Sequence, residues 1–214
     1  MNKEKIGAIF LITFVNKKLI GIATKNPGKF RSFCELLNEL DLEVVFLNKL
    51  KTLEESNSAK ENAIQKAIVA SSQVDIPVLS TDECMSLPFL KDEEQPNARI
   101  KRIVNDNPTD EEMIEYYLNI LKKLEGKAGF GIIETYSVIA YKSKVCDILY
   151  EKDKCFFKYP GSKTLIKGRP LASLVYYPQY DKYFTELTDK EKGEINSQAK
   201  KLISDFVNRT LTNI

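Results

Sequence analysis

A β-forming run, Leu19-Ile20-Gly21-Ile22-Ala23, passes through Thr24-Lys25-Asn26-Pro27-Gly28-Lys29 straight into a segment with helical periodicity. A strand that feeds a helix across so short a turn commits this part of the chain to an α/β arrangement. Asn26 suits the N-cap and Pro27 the first helical position, and Phe30, Phe33, Leu36, Leu37 and Leu40 then recur along one helical face. The junction gathers unpaired backbone N–H groups and the positive end of the helix dipole, so it is a place to hold phosphate. Thr24 and Asn26 could add side-chain donors there, and Lys29 a mobile cation. An Asn-Pro-Gly turn also serves as plain punctuation, and the junction alone does not choose between the two readings.

Two further segments weight the choice. In Ser58-Ala59-Lys60-Glu61-Asn62-Ala63-Ile64-Gln65-Lys66-Ala67, residues Ala63, Ala67 and Ala70 form one helix face and Glu61 stands in the opening turn. Ser58 and Glu61 have the spacing of a capping box, in which the glutamate merely satisfies a backbone donor. The second segment, Ile76-Pro77-Val78-Leu79-Ser80-Thr81-Asp82-Glu83, reads as a short strand ending in a carboxylate. Ligands of open α/β sheets bind beyond the carboxyl ends of strands, which places Asp82 where chemistry is expected, although Asp also fills turns and caps.

Together these segments resemble the inosine triphosphate pyrophosphatase family, whose members hydrolyse non-standard purine nucleoside triphosphates to the monophosphate and pyrophosphate. Thr24, Asn26 and Lys29 match its Thr-x-Asn-x-x-Lys motif. Glu61, Asn62, Ala63, Lys66 and Ala67 match Glu-Asn-Ala-x-x-Lys-Ala, and Thr81-Asp82-Glu83-Cys84-Met85 stands in the place of Asp-Asp-Ser-Gly-Leu. Phe184-Thr185-Glu186-Leu187 and Glu191-Lys192 follow the family's C-terminal pattern, so the resemblance spans residues 18 to 207. It implies an elongated mixed sheet with flanking helices and a central cleft, a homodimer, and Mg2+ as cofactor. Thr24, Asn26 and Lys29 would bind phosphate, Glu61 and Asp82 the metal, and Asp82 with Lys66 would be catalytic. Helical spacing alone does not bring Lys66 beside Glu61, so the role of Lys66 rests on the resemblance.

The departures fall mainly on one side of the expected ligand. Asn196-Ser197-Gln198 replaces Ser-His-Arg in a chain with no histidine, and Ser173-Leu174-Val175-Tyr176-Tyr177-Pro178 replaces Gly-Phe-Gly-Tyr-Asp-Pro. Those family motifs stack on the purine and read its 6-oxo edge, so base preference is expected to be altered or relaxed. Lys192, Ser197 and Gln198 are the base-side candidates that remain. At the centre, Thr81 removes one carboxylate, for which Glu83 next door is the candidate replacement, and Cys84 stands where a glycine lets backbone approach phosphate. Arg102, near the family's Ser-Ala-Arg-Tyr segment, reads as surface charge that could touch phosphate. The leading expectation is nucleoside triphosphate hydrolysis. The runner-up is a homologue that binds nucleotide as a sensor or scaffold without turnover.

Two carboxylates suffice for magnesium, which keeps several waters and is commonly held by one or two acids plus substrate phosphates. Net charge of +2, from 32 basic and 30 acidic residues, gives no extended electrostatic footprint for nucleic acid. Cys34, Cys84, Cys146 and Cys155 have no paired spacing for zinc or a redox motif and read as reduced cytosolic thiols. The apolar run Ile6 to Val15 is followed by Asn16-Lys17-Lys18 rather than a cleavage site and is too short to span a bilayer. It is expected to form an added strand hairpinned onto residues 19–24, within an N-terminal extension (1–18) to a single two-lobed domain (19–214). No membrane partner is expected.

Elsewhere the expected order is a strand at 43–47, a helix at 59–72 and a strand at 78–81. A flexible connection over 89–107 precedes a helix over 110–124 behind a Thr109–Glu112 capping box. Strands follow at 133–141, 144–150 and 155–159, the last two hairpinned through Glu151-Lys152-Asp153-Lys154. A final helix starts at Thr188 and ends near Val207.

Overall fold

The computed structural model describes residues 17–50 and 56–214. Strand β1 (Lys18–Ile22) leads into helix α1 (Pro27–Leu36), strand β2 (Leu42–Phe46), helix α2 (Ala59–Ser71) and strand β3 (Val78–Ser86). Helix α3 (Asp110–Leu121) is followed by the long strands β4 (Gly129–Tyr141) and β5 (Lys144–Phe157). Short strands β6 (Val175–Tyr177) and β7 (Lys182–Tyr183) precede the terminal helix α4 (Asp189–Thr212). One sheet, in the order β2-β1-β3-β4-β5-β6-β7, holds all seven strands. β2, β1 and β3 are parallel, and every pairing from β3 onward is antiparallel.

The order 2-1-3 has a geometric consequence. The chain crosses one way from β1 to β2 and back the other way to β3, so right-handed crossovers put α1 and α2 on opposite faces. On one face Ile20, Ile22, Leu79 and Ile139 pack against Phe33 and Leu37 from α1 and its C-terminal flank, and against Phe206 and Val207 of α4. On the other, Ala63 and Ala67 of α2 lie on Val138 and Ala140, where the small alanines let the helix approach closely. A further cluster, at the far end of the long strands, joins Met85, Leu87 and Phe157 to Met113, Tyr117 and Leu121 of α3. Each buried side chain of this size contributes about 1.5–3 kcal/mol of hydrophobic stabilisation.

Several expectations are corrected by pairing that the local sequence does not show. β3 does not stop at Thr81: it continues to Ser86 because β4 pairs with it along its whole length, Val78↔Ala140 to Ser86↔Ile132. Residues 151–154 form no turn. They lie inside β5 opposite Thr135 to Ile132, and the hairpin turns instead at Lys142-Ser143, whose φ values of 49° and 63° match the twist of the flanking strands. The 89–107 segment is packed: Leu90 and Ala98 are buried, Ile100, Ile103 and Val104 lie against the α3 cluster, and Gln95 bonds backbone at Leu87 and Leu90. α4 runs five residues beyond Val207, to Thr212. The added strand over 6–15 lies outside the described residues; among the described residues β1 pairs in parallel with β2 along its length and with β3 at Gly21 and Ile22.

Candidate active site

The site is built around a gap in the sheet. The β1 side of β3 is bonded as far as the Ala23 N–H donating to the Leu79 carbonyl (2.9 Å), and it is bonded again where Met85 and Asn97 exchange backbone hydrogen bonds (3.1 and 3.0 Å). Between these points, among the described residues, the edge of β3 has no strand beside it. Leu79 and Met85 direct their backbone groups to this edge, so by strand alternation Thr81 and Glu83 do as well. Exposed main-chain dipoles in a crevice at a topological switch point are a recurrent setting for ligands.

Alternation also sorts the side chains. Asp82 points toward α2, where its Oδ1 lies 3.3 Å from Lys66 Nζ in a pair only 13% and 18% exposed. Glu83 points to the opposite face and lies 3.3 Å from Lys29 Nζ of α1. Glu83 therefore does not restore a second carboxylate beside Asp82, and the two expected phosphate cations approach β3 from opposite faces around its open edge. Asp82 Oδ2 is buried without a hydrogen-bond partner among the described residues. An uncompensated carboxylate oxygen is costly, and such an orphan marks a place for an ion or a ligand proton.

The start of α2 lies beside this carboxylate. Ser58 caps the helix by accepting from the Glu61 N–H (3.3 Å), but the Glu61 carboxylate does not return to close the box, because the Ser58 N–H donates to Ser56 Oγ instead (3.0 Å). Glu61 stays exposed and, among the described residues, accepts only the Ser56 hydroxyl (3.2 Å). Buried Asn62 fixes that arrangement, accepting from the Ser56 N–H (2.6 Å) and donating to its carbonyl (3.1 Å). The helix N-terminus opens on a polar cavity of about 490 Å3 whose lining includes Ser58, Lys60, Cys84, Arg99 and Tyr136. Cys84 donates weakly to Glu134 (3.5 Å), and burial next to that carboxylate pushes its thiol up to about 11. It is an inert neutral thiol at neutral pH.

The start of α1 is more fully occupied. Asn26 Oδ1 accepts from the Gly28 N–H (2.7 Å) and its amide donates to the Gly168 carbonyl (2.9 Å), so Asn26 both caps the helix and staples it to the 158–174 segment. Thr24 Oγ1 accepts from the Asn26 N–H (3.1 Å), which leaves its hydroxyl proton to give. A Cβ on Gly28 would come within 3.1 Å of the Gly168 carbonyl, tighter than ordinary contact, so glycine lets the two backbones approach this closely without displacement.

The base-side candidates are dispersed. Leu174 is buried in the α3 cluster, and half-buried Tyr177 lies 6.3 Å from the ring of Phe184. Lys192 Nζ and the Arg169 guanidinium stand 5.8 and 5.2 Å from the Phe184 centroid. Ser197 and Gln198 are exposed further along α4, with the Ser197 hydroxyl donating to the Glu194 carbonyl (2.7 Å). Arg99, rather than Arg102, lines the cavity; Arg102 donates to the Ser56 carbonyl (3.1 Å). The signal for Arg99 in sequence was an arginine two residues after Asn97, whose pairing with Met85 is visible only in three dimensions.

Glu61 and Asp82 offer the hard oxygens that magnesium prefers, and the orphaned Asp82 Oδ2 fits a cation. Among the described residues no three acidic or sulfur ligands converge, so remaining positions on a metal would fall to water and substrate phosphates.

A family model described as the Ham1 family matches residues 20–164. The dITP/XTP pyrophosphatase of Desulfotalea psychrophila is 26% identical over 188 residues, covering 86% of this chain and 82% of that protein. That of Clostridium perfringens is 26% identical over 200 residues, covering 87% and 94%. Among solved structures, a HAM1 protein from Coxiella burnetii has a TM-score of 0.68 at 21% identity, covering 90% of this chain and 99% of that one. The Ham1 protein of Staphylococcus aureus has a TM-score of 0.64 at 21% identity, covering 89% and 98%. The matched segment carries the gap in β3, the α2 start and the Lys66–Asp82 pair, and the chain belongs to the Ham1 family.

Proposed function

We propose that this protein hydrolyses a nucleoside triphosphate to the monophosphate and pyrophosphate. The observation that carries the reading is the buried, orphaned Asp82 Oδ2 beside Lys66 of α2, at the open edge of β3, with Glu61 exposed in the first turn of the same helix. Similarity to curated dITP/XTP pyrophosphatases supports the reaction class.

In this reading Glu61 and Asp82 hold Mg2+, and when bound the ion supplies charge neutralisation at the phosphoryl oxygens. Lys66 and Lys29 flank β3 and balance phosphate charge from its two sides. Thr24 Oγ1 donates to the phosphate tail, and the α1 and α2 N-termini add their dipoles. Asp82 orients the attacking water toward the α-phosphorus. Positioning and electrostatics supply most of the catalysis in phosphoryl transfer, which suits a site with no histidine. The base preference is relaxed relative to the family, because Leu174 is buried away, Tyr177 replaces a carboxylate and Gln198 lies exposed on α4. A homodimer and a cytoplasmic location complete the reading.

The test is pyrophosphate release with Mg2+ across ITP, XTP, dUTP and the standard triphosphates. Turnover of at least one is expected, falling roughly 100- to 1,000-fold in Asp82→Asn. A second reading, nucleotide binding without turnover, is favoured by Thr81 and by Glu83 facing the wrong side of the sheet. Triphosphate binding by calorimetry with no turnover of any substrate selects it.

A further inference from the structure

The face of β4–β7 opposite α3 carries a feature that triphosphate hydrolysis does not use. Register aligns one aromatic residue on each strand: Phe130 of β4 opposite Phe156 of β5, Phe156 opposite Tyr176 of β6, and Tyr176 opposite Tyr183 of β7. Directly opposed residues share a face, so the four rings form a row across the sheet. Phe157 and Cys155, of the other parity, point into the α3 cluster, and the row points away from it. Phe130 is 37% exposed and the other three rings are half-buried. Further along the same face, beyond the Lys154 and Lys152 positions of β5, Tyr150, 47% exposed, packs against Tyr136.

Cations accompany the rings. Lys154 Nζ sits 4.2 Å from the Phe130 centroid and 5.3 Å from that of Phe156, and Lys158 Nζ sits 4.3 Å from that of Tyr176. Neither lysine has a carboxylate partner among the described residues. The nearby acids are engaged: Glu134 is paired with Lys152 (3.1 Å) and accepts from Tyr150, Asp181 accepts the Tyr176 hydroxyl, and Glu186 accepts from the Tyr183 N–H (3.1 Å). The Phe130–Phe156 end of the row is therefore cationic, and the Tyr176–Tyr183 end carries both signs.

We infer that this face binds single-stranded nucleic acid, with bases stacking along the aromatic row and phosphates meeting Lys154 and Lys158. The combination of sequence-tolerant π surfaces with a cationic track is what an unpaired strand requires. The inference does not depend on the hydrolytic site.

Fluorescence anisotropy of the full chain with a labelled oligothymidylate, measured over a series of salt concentrations, tests it. Binding is expected, weakening as salt rises with a log–log slope near −1.4, about −0.7 for each of the two lysine–phosphate contacts. Lys154→Glu combined with Lys158→Glu should weaken binding at least tenfold and flatten the slope by about 1.4. Phe130→Ala should weaken it roughly fivefold or more. Circular dichroism melting of each variant checks that these exposed substitutions leave the fold intact. Absence of binding at low salt, affinity unchanged in the variants, or equal affinity for a duplex overturns the inference. So does light scattering in which the charge-reversed variant alone loses a dimer, which would assign the face to a second copy.

Discussion

Helices α2 and α4 begin with the same Ser/Thr-x-x-Glu spacing, yet the structure uses the two glutamates differently. At α4 the box is closed: Thr188 accepts from the Glu191 N–H, and Glu191 Oε2 accepts from both the N–H (2.7 Å) and the hydroxyl (2.9 Å) of Thr188. Lys182 adds two more bonds at 2.8 and 3.1 Å, and together these hold the Glu191 carboxyl down at about 2. At α2 the serine caps but Ser56 takes the glutamate's place on the Ser58 N–H, and Glu61 keeps an exposed carboxylate. The difference teaches that a capping signature locates a helix start without saying whether its glutamate is structural. What decides is whether another group satisfies the N-cap donor.

The sharpest way to break this contrast is to neutralise both glutamates. Glu61→Gln is expected to reduce pyrophosphate release at least ~100-fold, given that even outer-shell partners of a metal are worth 10–100-fold. Its melting temperature should stay within about a degree or two of wild type, as for other exposed substitutions. Loss of stability without loss of turnover would make Glu61 a cap like Glu191.

Asn62→Ala probes what holds Glu61 free. It removes both bonds to the exposed Ser56 backbone, which water can replace, so denaturant unfolding should show a loss of about 1–2 kcal/mol, with turnover falling as Ser56 and Glu61 lose their positions. Unchanged stability would mean that the 56–58 turn holds itself.

The smallest effect belongs to Glu191→Gln, expected to lower the melting temperature by a few degrees near neutral pH. Because the folded-state carboxyl titrates below its unfolded value, the stability Glu191 contributes is present above about pH 4.5 and is lost as pH falls toward 2. The gap between variant and wild-type melting curves should therefore close over that window. A gap that persists at pH 2 would assign the effect to packing rather than charge.

Much of this was legible in sequence wherever the cause is local. The Asn26-Pro27 start, the three Ser/Thr-x-x-Glu starts and the apolar spacing of α1 and α3 each act within a turn or two of helix, and each was found within a few residues. What failed to show was set by distant partners. β3 outruns its apolar stretch because β4 lies beside it, and the charged Glu151–Lys154 stretch extends as strand because one face of β5 is open to solvent. The Lys66–Asp82 pair joins residues sixteen positions apart on different elements, so helical spacing was silent about it. Glu83 illustrates the converse: adjacency in sequence suggested a second carboxylate, and strand alternation sends it to the other face.

The length of β3 has a mechanical meaning. Leu79 packs into the α1–α4 cluster and Met85 into the α3 cluster, so one unbroken strand, laced to β4 throughout, floors both. The two clusters cannot separate about a flexible joint; any opening between them must bend an intact ladder of hydrogen bonds. The carboxylate and the cations ranged along that strand thus keep their spacing before a ligand arrives, and the cost of arranging them is met when the chain folds, not when the substrate binds.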